Sequence, residues 1–267
     1  FARAADASPG FSSDHVLTAQ VRLPEASYGT PAQRAQAVAQ MLERLRSLPD
    51  VISASTTQNL FQPGFSFVTI YDVESQPAPE GQRHTAQFRR VSPGYFKAMG
   101  IPLLRGRTFL GSDTRQTQQV VIVNEEFARR FYGDVENAMG RRFRFEQGTP
   151  LMEIIGIAED GLYRSLYEDR RPYMFLPLYQ QSHGAVTLVI SAQSNSDVAA
   201  VTETARNEIA QMDPRLPVVG VMVGDDNMAI PYWGPRVAAG MATTFGVLAL
   251  VLATMGLYSV MMYVVSQ

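Results

Sequence analysis

The chain has 267 residues, no cysteine and a formal net charge of -2. That length suffices for substantial cores in one or two domains. The missing cysteines exclude disulfides, thiolate metal sites and cysteine nucleophiles, and the balance of charge argues against a nucleic-acid binder, which needs a basic stripe. With 46% hydrophobic and 18% charged residues, the composition fits a globular protein carrying an added apolar segment. Lys97 is the only lysine, which we read as codon bias rather than phosphate recognition. Phe1–Gly10 is small, polar and ended by Pro and Gly, so it does not read as a signal peptide. A domain outside the cytoplasm then implies an earlier hydrophobic segment, and Phe1 is not expected to be the natural start.

Two stretches read as the same βαβ unit. His15–Leu23 alternates, with Leu17, Ala19, Val21 and Leu23 on one face, and predicts a strand. A helix follows, opened by Thr30 as N-cap, Pro31 at its first position and Gln33 as the capping-box partner. Ala35, Val38, Leu42, Leu45 and Leu48 recur at helical spacing, Pro49-Asp50 breaks the helix, and Val51–Thr57 is the second strand. The later unit runs from a strand at Val186–Ala192 through a helix opened by Ser196-Asp197, with Val198, Val201, Ala205, Ile209 and Met212 on one face. Asp213-Pro214 ends that helix, and Val218–Val223 is the closing strand.

The middle is punctuated and strand-rich. Strands are expected at Phe65–Val73, Thr85–Val91, Val120–Val123, Arg142–Phe145, Met152–Ala158 and Tyr173–Leu176, with a helix over Glu125–Tyr132 capped by Asn124 and an exposed loop at Gln76–Gly81. The fold class is therefore α+β, a β-rich insertion between two βαβ units that share one layered subdomain. At the end, Val237–Val265 contains no formal charge over 29 residues. A helix of that length exceeds the ~30 Å hydrocarbon core of a bilayer. Tyr232, Trp233, Arg236, Tyr258 and Tyr263 suit interface anchors, and Ala242 with Gly246 makes a small-residue surface that lets another helix approach. One C-terminal transmembrane helix is expected.

Chemistry is sparse. G-x-S-x-G, H-E-x-x-H, G-x-x-x-x-G-K-[ST] and G-x-G-x-x-G are all missing. His15, His84 and His183 each stand alone beside a strand or loop end and read as solvated or turn histidines. Glu159-Asp160 near Glu153 lacks the ligand spacing of a calcium loop and reads as a solvated loop. Glu125-Glu126 suits the first turn of a helix, and Asp225-Asp226-Asn227 a connector. The arginine pairs Arg89-Arg90, Arg105/Arg107, Arg129-Arg130, Arg141-Arg142 and Arg170-Arg171 read as a salt-bridged surface among interspersed acids. Tyr163–Tyr179 reads as packing. No catalytic, cofactor or metal residues are assigned, and no enzyme activity is expected.

Several phrases in order are more specific than any one motif. They are His15-Val-Leu-Thr-Ala with Val21-Arg-Leu-Pro, Leu42-Glu-Arg-Leu-Arg-Ser-Leu-Pro-Asp-Val51, and Arg90-Val-Ser-Pro-Gly-Tyr-Phe96 running on to Met99-Gly-Ile-Pro-Leu-Leu-Arg-Gly-Arg-Thr-Phe109. Val120-Val-Ile-Val-Asn-Glu125, Gly140-Arg-Arg-Phe143, Ile154-Ile-Gly-Ile157 and Arg171-Pro-Tyr-Met-Phe-Leu-Pro177 follow, ahead of Gly256–Ser259. Together they resemble the MacB-like periplasmic core domain of ABC transporter permeases, with the strongest likeness to FtsX-like, duplicated permeases of acidobacterial type.

The resemblance implies a porter-like subdomain of residues 1–59 and 180–228, a β-rich inserted subdomain of residues 60–179, and a connector with transmembrane helix at 229–267. It implies a place in the bacterial inner membrane, with residues 1 to about 235 in the periplasm. The implied role couples ATP hydrolysis by a separate subunit to movement outside the cytoplasm, called mechanotransmission, in support of export or efflux. Implied partners are an ATP-binding subunit, a second permease half or copy, a periplasmic adaptor protein and membrane lipid, with no cofactor and no nucleic acid. The alternative is a membrane-anchored envelope sensor or assembly domain that works without transport. A tethered hydrolase would need a nucleophile, base and orienting group that the chain does not assemble.

Overall fold

The structure is a computed structural model that describes residues 15–58, 67–71, 84–145, 149–161, 170–180, 185–193 and 196–223, with short pieces beyond 243. In chain order the elements are β1 (Val16–Arg22), α1 (Pro31–Arg46), β2 (Val51–Thr57), β3 (Phe67–Tyr71), β4 (His84–Val91), α2 (Tyr95–Ala98), β5 (Leu103–Gly106) and β6 (Val120–Asn124). They continue with α3 (Glu125–Tyr132), α4 (Val135–Ala138), β7 (Arg142–Phe143), β8 (Met152–Ala158), β9 (Tyr173–Pro177), β10 (Ala185–Ala192), α5 (Val198–Met212) and β11 (Val218–Val223). The strands form one sheet in the order β11-β1-β10-β2-β4-β9-β6-β8-β5, with β3 on β4 and β7 on β8.

Local signals set the helices of the first half. The Gln33 N–H donates to Thr30 Oγ1 at 3.2 Å and the Thr30 N–H to Gln33 Oε1 at 3.0 Å, so the expected capping box is present. Asp197 caps α5 through the Ala199 N–H at 2.9 Å. The two βαβ units interleave. β10 lies antiparallel between β1 and β2, while β1 lies antiparallel between β10 and β11. Each crossover leaves a one-strand gap between its parallel strands, and the other unit fills it, giving a split βαβ arrangement. Leu17 pairs with Ile190, Ala19 with Leu188 and Val21 with Val186, and this face packs against Val38, Met41, Leu42 and Leu45 of α1 and Val201, Ala205 and Ile209 of α5.

The second half is covered on both faces. In β6, Val120 and Ile122 enter one core while Val121 and Val123 enter another; in β9, Tyr173 and Phe175 alternate with Met174 and Leu176 in the same way. The amphipathic α3 presses Phe127, Ala128 and Phe131 onto the second of these cores, where Phe127 meets the Phe143 ring at 5.3 Å. The other core is shared between the halves. Tyr95 and Phe96 of α2 pack with Phe175 and also with Val16 and Val189, which project from the back of β1 and β10.

Of the strand expected at Phe65–Val73 the described residues form Phe67–Tyr71, its ends lying outside them, and the strand expected at Arg142–Phe145 is shorter, at Arg142–Phe143. Three four-residue elements, α2, β5 and α4, carry no sequence signal because one turn or two alternations are too few to establish a period. β5 is held by close approach: Gly106 has φ +79° and a Cβ there would lie 2.1 Å from the Ile155 carbonyl oxygen.

The chain forms two compact units, Phe1–Met228 and Ala229–Gln267. Within Val237–Val265 the described residues 244–246, 249, 253–256 and 261 are helical and exposed. Among the described residues no helix is long and apolar enough to cross a membrane. Most of the expected span lies outside the described residues, as do Gln76–Gly81, His183, Asp225–Asn227 and Tyr163–Tyr167.

Candidate functional site

The histidines stand apart. His15 occupies a turn before β1 with φ 56°, and His84 opens β4 edge-on to the Phe131 ring at 5.0 Å. Among the described residues no group of three or more His, Cys, Asp and Glu is placed to hold a metal ion. The arginines mostly do what their neighbours in sequence suggested. Arg105 pairs with Glu136 at 2.6 Å, Arg142 with Glu153 at 2.7 Å, and Arg129 with Glu125 one helical turn away. Arg107 binds both oxygens of Asp113, at 2.9 and 3.0 Å. Although burial pushes the Asp113 carboxyl up, Arg107 and the Leu110 N–H together hold it below its usual range. Arg89 departs from the surface reading. It is buried, with Nη1 donating to the Tyr95 hydroxyl at 3.1 Å and the guanidinium 6.0 Å from the Tyr173 ring centre.

Asp160 also departs from its sequence reading. Glu159 is exposed, as a solvated loop requires, but Asp160 is 7% exposed. Its Oδ1 accepts from the Glu126 N–H and from Asn124 Nδ2, both at 2.8 Å, so it supplements the N-cap of α3. Asn124 is the centre of this node. Its Oδ1 accepts from Phe127 N–H at 3.1 Å and Tyr173 N–H at 2.8 Å, and its Nδ2 also donates to the Arg171 carbonyl at 2.9 Å. All four hydrogen-bonding positions of the amide are thus used. Burial pushes the Asp160 carboxyl up, opposed by the Glu126 N–H and by Arg170, whose Nη1 lies 3.6 Å from Oδ2. The arrangement ties β6, α3 and the approach to β9 together, and its chemistry is structural.

The richest polar cluster lies on the seam between the halves. There, among the described residues, the β2–β4 ladder is one bridged pair, Thr57 with Val91. The turn Ser92-Pro93-Gly94 sits against the edge of β2 and closes it. Ser92 N–H donates to the Thr56 carbonyl at 2.9 Å, Thr56 N–H to Ser92 Oγ at 2.7 Å, and Ser53 Oγ to the Gly94 carbonyl at 3.2 Å. Gln58 N–H and Thr57 Oγ1 both donate to the Arg90 carbonyl at 3.1 Å, and Arg90 Nη1 returns a bond of 2.9 Å to Gln58 Oε1.

Arg46, in the last turn of α1, reaches over this edge. Its Nε donates to the Ala54 carbonyl at 2.9 Å and its Nη2 to the Pro93 carbonyl at 2.5 Å. Gly94 has φ +94°, and a Cβ there would lie 3.1 Å from Arg46 Nη2. Behind the seam, the chain returns from β9 to β10 through Leu178 and Tyr179, which pack into the first-half core. Burial pushes the Tyr179 hydroxyl up and the nearby Arg46 charge opposes that. Sequence reading passed over Arg46, whose place in a last helical turn is explained locally by the helix dipole.

Comparison with known proteins supplies what the chemistry does not. Residues 3–208 match the model of the family described as MacB-like periplasmic core domain. Among solved structures, the chain is similar to the periplasmic region of MacB from Actinobacillus actinomycetemcomitans, with 14% identity, a TM-score of 0.52, and coverage of 84% of this chain and 94% of that one. It is also similar to the extracellular domain of the noncanonic ABC-type transporter YknZ from Gram-positive bacteria, with 12% identity, a TM-score of 0.47, and coverage of 76% and 100%. No curated protein matches the chain.

Proposed function

The chain belongs to the MacB-like periplasmic core domain family, and from that premise we propose that it couples ATP hydrolysis by a separate subunit to movement outside the cytoplasm, in support of export. The family match over residues 3–208 carries this reading. In it, residues 1–59 and 180–228 are the porter-like part, residues 60–179 the insertion, and Val237–Val265 crosses the inner membrane as one helix of a permease bundle. The protein is not an enzyme; its contacts are the ATP-binding subunit, a second permease half, an envelope adaptor and lipid. The absence of a phosphate-cradling loop from the sequence fits a division of labour in which nucleotide binds elsewhere.

The test uses the whole permease with its ATP-binding subunit in vesicles. These 267 residues contain no cysteine, so with every cysteine elsewhere in the transporter replaced, Gln40→Cys, on the exposed face of α1, places a single fluorophore for energy transfer to a lipid-headgroup acceptor. Transfer efficiency is expected to differ between nucleotide-free and ATP-bound states. Equal efficiency in both, with ATP turnover intact, overturns the reading.

A further inference from the structure

We propose that Arg46 is a positioning residue that fixes the angle between the two halves of the sheet, so that they move as one stiff body. The bonds from β2 to the Ser92–Gly94 turn and to Arg90 all leave one strand edge. Bonds along a single edge act like the knuckles of a hinge: they hold the halves together and leave rotation about the strand weakly restrained. The α2 wedge, Tyr95 and Phe96 against Val16 and Val189, resists compression, but apolar contact is non-directional and allows sliding.

Among the described residues, Arg46 alone bonds this turn from the helix layer, off the strand axis. It holds three elements with one planar group: its own helix α1, the Ala54 carbonyl on β2, and the Pro93 carbonyl on the turn. The fork geometry of a guanidinium is what lets one side chain donate to two carbonyls at fixed separation, which a lysine cannot reproduce. Gly94 completes the fit, since any Cβ would crowd the Nη2 atom. A body that transmits a push must not fold at its middle, so this inference deepens the proposed function and rests on it for its consequence in transport.

Nitroxide labels on Gln40→Cys in α1 and Arg130→Cys in α3, both exposed positions, read the angle in the full chain as a distance distribution. The parent chain is expected to give one narrow distance. Arg46→Met, which keeps the aliphatic stem and deletes the fork, is expected to widen the distribution about twofold, as a hinge freed of its strut would. Arg46→Lys is expected to widen it less and decides the matter if Arg46→Met does not fold. Arg44→Met, two residues away in the same helix and paired with Glu208 on the surface, is expected to leave it narrow. Unchanged widths in folded Arg46 variants, or equal widening by Arg44→Met, overturn the proposal. In the whole transporter, Arg46→Met is expected to keep ATP turnover and lower transport per ATP. A widened distribution without any ATP-dependent energy transfer would sink the proposed function and leave the role of Arg46 standing; the reverse pattern would sink only Arg46.

Discussion

Strands β1, β2, β10 and β11 turn one face to α1 and α5, whereas β6 and β9 are covered on both faces. In β1 the sequence therefore alternates, with Leu17, Ala19 and Val21 inward and Gln20 and Arg22 exposed. On the back of that sheet lie Thr18, Ser55 and Thr187, buried but polar, beside Val16 and Val189. The second group reads as unbroken runs, Val-Val-Ile-Val-Asn and Tyr-Met-Phe-Leu-Pro, every residue buried. The difference teaches that a strand's sequence reports how many of its faces are covered. The boundary between the two regimes falls where Tyr95 and Phe96 cross under the first half, so the cores are not separate.

The largest way to probe this contrast is to open a cavity in each half. Phe127 is fully buried beside Phe131 and Phe143, and Phe127→Ala is expected to cost about 3–5 kcal/mol. Leu42→Ala, in the one-sided half, is expected to cost about 2–4 kcal/mol. Urea unfolding gives both values. Amide protection of α1 and α5 should fall with that of α3 in Phe127→Ala; protection of α1 and α5 that stays at the parent level would mean the shared core does not join the halves.

A smaller effect tests the polar node that exists only in the two-faced half. Asn124→Ala removes four hydrogen bonds and leaves the buried Tyr173 N–H without its partner, along with the part-buried Arg171 carbonyl. The expected cost is about 2–3 kcal/mol. A urea midpoint within error of the parent would show that the neighbouring backbone finds other partners.

The smallest expected effect is in pH dependence. Burial raises the folded-state pKa of Asp160, so its contribution is fully present below its unfolded value of about 4 and is lost as pH rises through the folded value. Asp160→Asn keeps the acceptor for the Glu126 N–H and removes the titration. Stability should then fall less between pH 4 and pH 7 in Asp160→Asn than in the parent chain, measured by thermal midpoint. Parallel profiles would show that the buried carboxylate is not strained by its charge.

Where a signal was local, the sequence was legible. Thr30 with Gln33, Asn124 with Phe127 and Asp197 with Ala199 lie within three residues of one another, and β8 and β11 have the expected bounds because alternation and flanking turns mark them. Asp160 was misread because the N-terminus it serves belongs to Glu126, 34 residues earlier. Arg89 was misread because its burial comes from Tyr95 and the parallel neighbour β9. The two βαβ units were visible, but either could have closed on itself as readily as interleaved with the other.

By itself the sequence determined the α+β class, the two βαβ units, the caps and the family phrases, because each depends on residues a few positions apart and on the fixed periods of helix and strand. Tertiary structure decided the interleaving of β1, β2, β10 and β11, the place of α2 in the core that the two halves share, and the grip of Arg46 on a carbonyl 47 residues away. It also decided the bond from the Tyr28 hydroxyl to Asp213, 185 residues apart. Such partners are chosen by which surfaces meet when the chain collapses, and no local period encodes that choice.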